Sequence, residues 1–368
     1  MAWMLSTGVQ AGNEGVTPTE IRLGASLVLT GPLGAQVKLR EEGARLLFDS
    51  VNANGGIHGR TISFTSLDDG FDPKRALENS RKLIEEQKIF MLFSNTGTAQ
   101  TAAVLPLIKE KKTILFGPLT GASSMREGVN PYLFHVRAGY ANEAAKIVSQ
   151  NKLIGVSRMA IVYLDDGLGN ALLSEVRKST ASLGMPAALE IKLDPKAPDF
   201  EAAAAETAKA NPQTVIIGTA GSNFPKYIKA VLATTSRPVF YGFSVASLDI
   251  ISRELKDESR GIILAQIMPS LRDRTVPVVV EYLNLLKSKS PGAVPSDSQF
   301  EGFVHARLLT EGFKRTGRNL STESFIKTME GVGEIAFGRF TVKYSAKSHN
   351  GSDYVELAII DADGRLRY

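Results

Sequence analysis

The chain has 368 residues, 43% apolar and 22% charged, with a formal net charge of +5 and no cysteine. That is the composition of a globular protein of about two domains, each long enough to bury its own core. Disulfides, thiolate metal sites and cysteine nucleophiles are excluded. Lysine and arginine are scattered among carboxylates, with no basic stripe interleaved with aromatics, so nucleic acid is not an expected partner. No apolar run reaches the ~18 residues of a membrane span.

In chain order, residues 1–19 read as a disordered leader. It is either a vector remnant or the tail of an export signal, with the small residues around Val9-Gln10-Ala11 suited to cleavage. The fold is expected to begin near Glu20. Ile21–Leu29 reads as an apolar strand broken by Thr30-Gly31-Pro32, and Ala44, Leu47, Phe48 and Val51 give the next helix a buried face. Asn54-Gly55-Gly56 ends that helix. The alternation continues with strand Thr61–Leu67, helix Pro73–Glu86, strand Ile89–Phe93, helix Thr98–Lys109, and strands Thr113–Phe116 and Tyr132–Val136. It restarts with helix Asn142–Lys152 and runs through strands Met159–Leu164, Ala187–Leu193, Thr214–Ile217, Val239–Tyr241 and Gly261–Ala265. Helices near Val276–Lys287, Phe300–Thr316 and Ser321–Met329 follow, and strands Phe340–Tyr344 and Tyr354–Ile360 close the chain.

Alternation of this kind predicts an α/β fold of parallel sheets covered on both faces. One sheet of this length would need about ten strands, so two doubly wound lobes are the better reading. Ligands in such folds sit at the carboxyl ends of strands.

Several motifs have physical readings of their own. Asp68, Asp69 and Asp72 lack the spacing of a calcium loop, and Asp72 before Pro73 reads as a helix cap. No metal or cofactor is expected. Asn95-Thr96-Gly97-Thr98 joins a buried strand to a helix start, where free amides and hydroxyls suit a carboxylate. Gly242-Phe243-Ser244-Val245-Ala246 resembles a nucleophile elbow with its last glycine missing. The four histidines are poorly placed to serve Ser244 as a base, so catalysis is not expected. Gly167-Leu168-Gly169 is two thirds of a dinucleotide fingerprint, with no acidic residue at the required strand end.

Three stretches resemble the leucine/isoleucine/valine-binding family of ABC-transporter receptors, the type I periplasmic binding protein family. They are Leu29–Leu33 with Val51–Arg60, Leu67–Pro73, and Ser94–Thr98 followed by Phe116–Gly121. Asn350-Gly351-Ser352-Asp353 before the last strand is a further likeness. The resemblance implies two lobes joined by a three-crossover hinge: residues 20–138 with 267–345, and residues 139–266 with 346–368. It also implies a monomeric periplasmic receptor that delivers an amino acid or similar small carboxylate to an ABC-transporter permease. The alternatives are an aromatic or other organic acid as ligand, or a cytoplasmic ligand-sensing regulator of the same fold.

By the same resemblance the ligand site comprises Asn95, Thr96, Gly97 and Thr98, and the turn Pro118, Leu119, Thr120 and Gly121. Either Thr120 or Gly121 matches the family's threonine. Gln36 falls where the branched-chain receptors have an aromatic wall, with Tyr140 as a replacement. Leu168, Ser222 and Asn223 are expected at the edge of the second lobe. Ser244 stands where those receptors carry the glutamate that binds the ligand's ammonium, which leaves Asp165, Asp166 or carbonyls near Pro118–Thr120 to receive an amine.

Overall fold

A computed structural model describes residues 14–368; the expectations for residues 1–13, including the cleavage site, lie outside the described residues. The first sheet holds β1 (Glu20–Leu27), β2 (Thr61–Asp68), β3 (Met91–Phe93), β4 (Ile114–Phe116) and β5 (Leu133–Phe134), in the order β2-β1-β3-β4-β5. Every pairing in it is parallel. Met91–Phe93 and Ile114–Phe116 are wholly buried, as strands covered by helices on both faces must be. The intervening helices are α1 (Gly34–Ala53), α2 (Pro73–Glu85) and α3 (Thr98–Lys111). Asp72 caps α2 by accepting from Lys74 N (2.7 Å) and Arg75 N (3.0 Å), as expected from Asp-Pro at a helix start.

The second sheet is built on β6 (Met159–Leu164), β7 (Leu189–Leu193), β8 (Thr214–Gly218), β9 (Val239–Gly242) and β10 (Ile263–Gln266). Its helices are α4 (Tyr140–Leu153), α5 (Gly167–Ser182), α6 (Phe200–Ala210), α7 (Asn223–Leu232) and α8 (Leu248–Leu255). Helices α9 (Pro277–Lys289), α10 (Asp297–Thr316) and α11 (Thr322–Gly331) return to the first sheet, with α10 packed along α1. Gly43 and Gly302 face the partner backbone there, so the two helices meet closely. The strands β11 (Gly333–Phe337), β12 (Phe340–Ser345) and β13 (Ser348–Gly351) form a small antiparallel sheet. It is tied to β5 through His135 N donating to His349 O at 2.9 Å. Finally β14 (Glu356–Ile360) and β15 (Leu366–Arg367) complete the second sheet, in the order β15-β14-β10-β9-β8-β6-β7.

Two features differ from the sequence reading. The edge pair β14–β15 runs antiparallel on an otherwise parallel sheet. The helix α8 and the strands β11, β13 and β15 were not anticipated, because they are short, and Ser348–Gly351 carries no apolar alternation. The chain passes between the two large sheets at three places: after β5, after β10 and after β13.

Candidate functional site

The carboxyl ends of strands from both sheets meet at one narrow cavity. After β3 it is lined by Thr96, Gly97 and Thr98, and after β4 by Leu119. From the second sheet it receives Leu168 after β6, Ala220 after β8 and Val245 after β9. Helix α1 contributes Gln36 and Arg40, and the segment after β5 contributes Arg137 and Tyr140. This is where an open α/β sheet binds ligands, since loops and helix N-termini converge at that edge. The space left is about 30 Å³, little more than a water molecule needs. The walls are therefore closed on one another. A larger groove of about 560 Å³ lies at α8, the Ser270–Arg274 turn and the C-terminal strand. It is open and receives no residue from the ends of β3, β4, β6 or β8, where the strand ends of both sheets converge.

The first wall is built from backbone. Gly97 is the N-cap of α3 with φ +100, and no side chain caps the helix. Among the described residues, no protein group accepts from the amides of Thr98, Ala99 or Gln100. Free amides at a helix start attract an anion. The Thr98 hydroxyl sits 2.8 Å from that of Thr120. The positive φ of Gly97 favours glycine, and a Cβ there would also have to displace the Gln100 carboxamide.

The polar centre of the site is a buried ion network that joins the two walls. Arg137, 1% exposed, donates from Nη1 to Glu301 Oε1 (3.3 Å) and from Nη2 to Glu143 Oε1 (3.3 Å). Its Nη2 also donates to Ser244 Oγ, and its Nε has no partner among the described residues. Arg40 Nε donates to Glu301 Oε2 at 2.5 Å. Ser244 donates to Glu143 twice, from its amide (2.7 Å) and its hydroxyl (2.9 Å). Gln36, with its amide turned to satisfy both neighbours, accepts from Arg40 Nη2 (2.9 Å) and donates to Val245 O (3.3 Å).

The two glutamates respond differently to the same cations. For Glu301, burial acts to raise the carboxyl, but Arg40 and Arg137 outweigh it and hold the group down at about 2. For Glu143, burial dominates and pushes the carboxyl up despite Arg137 and the two Ser244 bonds. Burial holds His305, against Glu301 and Ser94, down at about 4, so it is neutral.

The anticipated residues divide three ways. Gln36, Thr96, Gly97, Thr98, Leu119, Tyr140 and Leu168 line the cavity. Thr120 reaches it through Thr98, and Gly121 accepts from Tyr140 N (2.7 Å), which seats the Tyr140 ring against the Arg137 guanidinium. Asn95 turns away, accepting from Ser26 N (3.2 Å) and donating to Ser80 Oγ (3.3 Å). Pro118, Ser222 and Asn223 are not among the lining residues; Ser222 and Asn223 start α7, and Ala220 takes the wall position instead. Ser244 lies one layer behind the wall, bonded to a carboxylate and a guanidinium and to no histidine.

Of the proposed amine acceptors, Asp165 pairs with Lys192 Nζ (3.2 Å) and Asn170 (3.0 Å). Asp166 caps α5 through Gly169 N (2.8 Å). Arg40, Arg137, Glu143 and Glu301 were not anticipated. For Arg40, Glu143 and Glu301 the trace in the sequence is a charge on an otherwise buried helix face, as at Glu143 beside Ala144 and Ile147, whereas Arg137 lies in the segment between β5 and α4.

With this geometry in view, the chain matches the periplasmic binding protein family over residues 20–365, and it belongs to that family. It superposes with a TM-score of 0.89 on an extracellular ligand-binding receptor from Verminephrobacter eiseniae, 27% identical, covering 95% of this chain and 100% of that one. A possible leucine/isoleucine/valine-binding protein from Rhodopirellula baltica has the same fold, with a TM-score of 0.89 at 23% identity, over 99% of this chain and 98% of the other. A leucine-, isoleucine-, valine-, threonine- and alanine-binding protein of Pseudomonas aeruginosa is 21% identical over 54% of this chain. The chain spans about half the length of the curated relatives it matches, 53% and 52%.

Proposed function

We propose that this protein is the extracytoplasmic solute-binding receptor of an ABC importer, holding a small carboxylate between two lobes and delivering it, without chemistry, to a membrane permease. The lobes would be residues 20–138 with 267–345 and residues 139–266 with 346–368, and the receptor a periplasmic monomer. The observation that carries this reading is the uncapped start of α3, with its free amides, the Thr98 hydroxyl and buried Arg137 converging on one cavity at the strand ends. Such a set of fixed donors suits a carboxylate. Ser244 has no histidine beside it, and its hydroxyl is held between Glu143 and Arg137 behind the wall, which supports binding over catalysis.

The narrowness of the cavity supports a hinge. A ligand of several heavy atoms enters only if the walls part, and it then favours the closed state through contacts to both. Mass spectrometry of small molecules released on denaturation is expected to yield a carboxylic acid, and small-angle scattering is expected to show compaction when that acid is restored. Binding without compaction would remove the hinge, and release of a cationic or sugar ligand would remove the carboxylate reading.

A further inference from the structure

We infer that the ligand is a carboxylate with an apolar body and no amine. The inference rests on the carboxylate-receptor reading and narrows it. Its basis is an imbalance between the donors and the acceptors that the closed site leaves free.

The free donors are several. The amides of Thr98, Ala99 and Gln100 have no protein acceptor among the described residues, and neither does Arg137 Nε, although Arg137 is 1% exposed. Of the two hydroxyls in the Thr98–Thr120 pair, one donates to the other, which leaves one proton to give. These groups ask for an anion.

The carboxylates at the wall are engaged, and Asp297, which has no partner among the described residues, lines the neighbouring pocket with Arg40, Ser244 and Glu301 and not this cavity. Glu143 receives the Ser244 amide, the Ser244 hydroxyl and Arg137, and Glu301 receives Arg40 and Arg137. Asp165 and Asp166 are engaged by Lys192 and Gly169. Asp69 takes Ser26 Oγ (2.7 Å) and Phe71 N (3.0 Å). Three carbonyls of the turn after β4 are taken as well, Leu119 O by Gly97 N, Thr120 O by Arg126, and Gly121 O by Tyr140 N, and Pro118 does not line the cavity. Gln100 Oε1, beside Gly97, is a neutral acceptor left free, one amide oxygen against three backbone amides and Arg137 Nε.

Charge gives the same answer. Two arginines and two glutamates form a buried set that is already neutral. A carboxylate adds to it against free amides and the positive end of α3. An ammonium in the cavity finds a carboxylate partner only if Glu143 lets go of Arg137, which strips a buried guanidinium of a partner. The rest of the wall (Leu33, Val37, Phe71, Tyr140, Leu168, Val245) offers only apolar surface and a tyrosine ring to the ligand's body.

The test is a calorimetric titration of matched pairs, using protein freed of ligand by unfolding and refolding. The pairs are 4-methylpentanoate with leucine, 3-phenylpropanoate with phenylalanine, and benzoate with 4-aminomethylbenzoate. In at least one pair the amine-free acid is expected to bind roughly a hundredfold tighter than its partner. In Arg137→Gln, Glu143 is released and a donor is lost, so acid affinity is expected to fall more than tenfold and the preference to shrink toward parity. Arg137→Lys, which keeps the charge, serves if the first variant does not fold, and is expected to weaken the acid without restoring the amino acid. An amino acid that binds as well as its deaminated partner overturns the inference while leaving the carboxylate reading in place. If no pair binds up to about 1 mM, both fall. A preference for the acid that survives unchanged in a folded Arg137 variant overturns the assignment of that preference to Arg137 and Glu143.

Discussion

The two walls of the cavity are made in different ways. The wall from the first sheet presents a glycine N-cap at φ +100, an uncapped helix start and two hydroxyls within 2.8 Å of each other. The wall from the second sheet offers Leu168, Ala220 and Val245, and its polar residue Ser244 is sealed against Glu143. One wall thus carries most of its chemistry in the run Gly97–Gln100, with Thr120 added from the end of the next strand. The other is apolar in front and borrows its polarity from an ion network whose members lie far apart in the chain. Local motifs can specify a head-group site, whereas the complementary wall depends on long-range assembly.

The largest effect that would sharpen this comparison is expected from Glu301→Gln, which keeps the shape but strips two buried arginines of their counter-charge. Loss of one partner in a buried ion set costs about 3–5 kcal/mol. Denaturant unfolding should show that loss, whereas Thr98→Ala should leave stability nearly intact. A Glu301→Gln protein as stable as the parent would mean that the network does not hold the walls together.

Acid should act on the same region. Burial lowers His305 from 6.5 to about 4, and it also lowers His135. The unfolded chain then takes up protons that the folded one refuses, so stability falls as pH drops from 6.5 toward 4. His305 alone accounts for roughly 3 kcal/mol across that window. A stability–pH curve for His305→Asn should be flatter there than the parent's. An unchanged slope would place the proton uptake elsewhere.

The head-group wall is tested by Gly97→Val and Thr98→Ala. Thr98→Ala is expected to weaken carboxylate binding by about 1–3 kcal/mol, the worth of a charge-assisted hydrogen bond. Gly97→Val is expected to be worse, because φ +100 excludes a β-branched residue and its Cβ meets Gln100. Isothermal titration of both folded variants decides it, and affinity equal to the parent in both would empty this wall of its role.

The smallest expected effect is at the seam between the walls. Gly221, at φ +61, lies so close to Pro32 O that a Cβ would strike it. Gly221→Ala should therefore oppose closure and lower ligand affinity by about tenfold, a cost near 1.4 kcal/mol, with little change in the on-rate. Stopped-flow binding separates the two rates. An effect confined to the on-rate would show that the seam gates entry and does not stabilise the closed state.

Much of this molecule could be read in one dimension. The strand–helix alternation is legible because burial on both faces demands apolar runs, and Met159–Leu164 is buried at every position. Thr96, Gly97 and Thr98 were legible because a strand end, a glycine and a helix start are neighbours in sequence. The helix α8 and the strands β11 and β13 that flank β12 were not, being too short for periodicity to declare itself.

Nor could the sequence show that Arg40 and Glu301, 261 residues apart, share a hydrogen bond, or that Ser244 meets Glu143 from 101 residues away. Those partnerships exist because α10 returns to pack on α1, and because α4 starts beside the turn after β9. A charged side chain reads as surface until the fold buries it, and burial then obliges it to find a partner. Sequence alone determined two parallel-sheet cores and the glycine turn that joins β3 to α3. Only the tertiary structure decided which charges that turn faces and which acceptors are already taken, because electrostatics in a dry cavity depends on distances that chain position does not record.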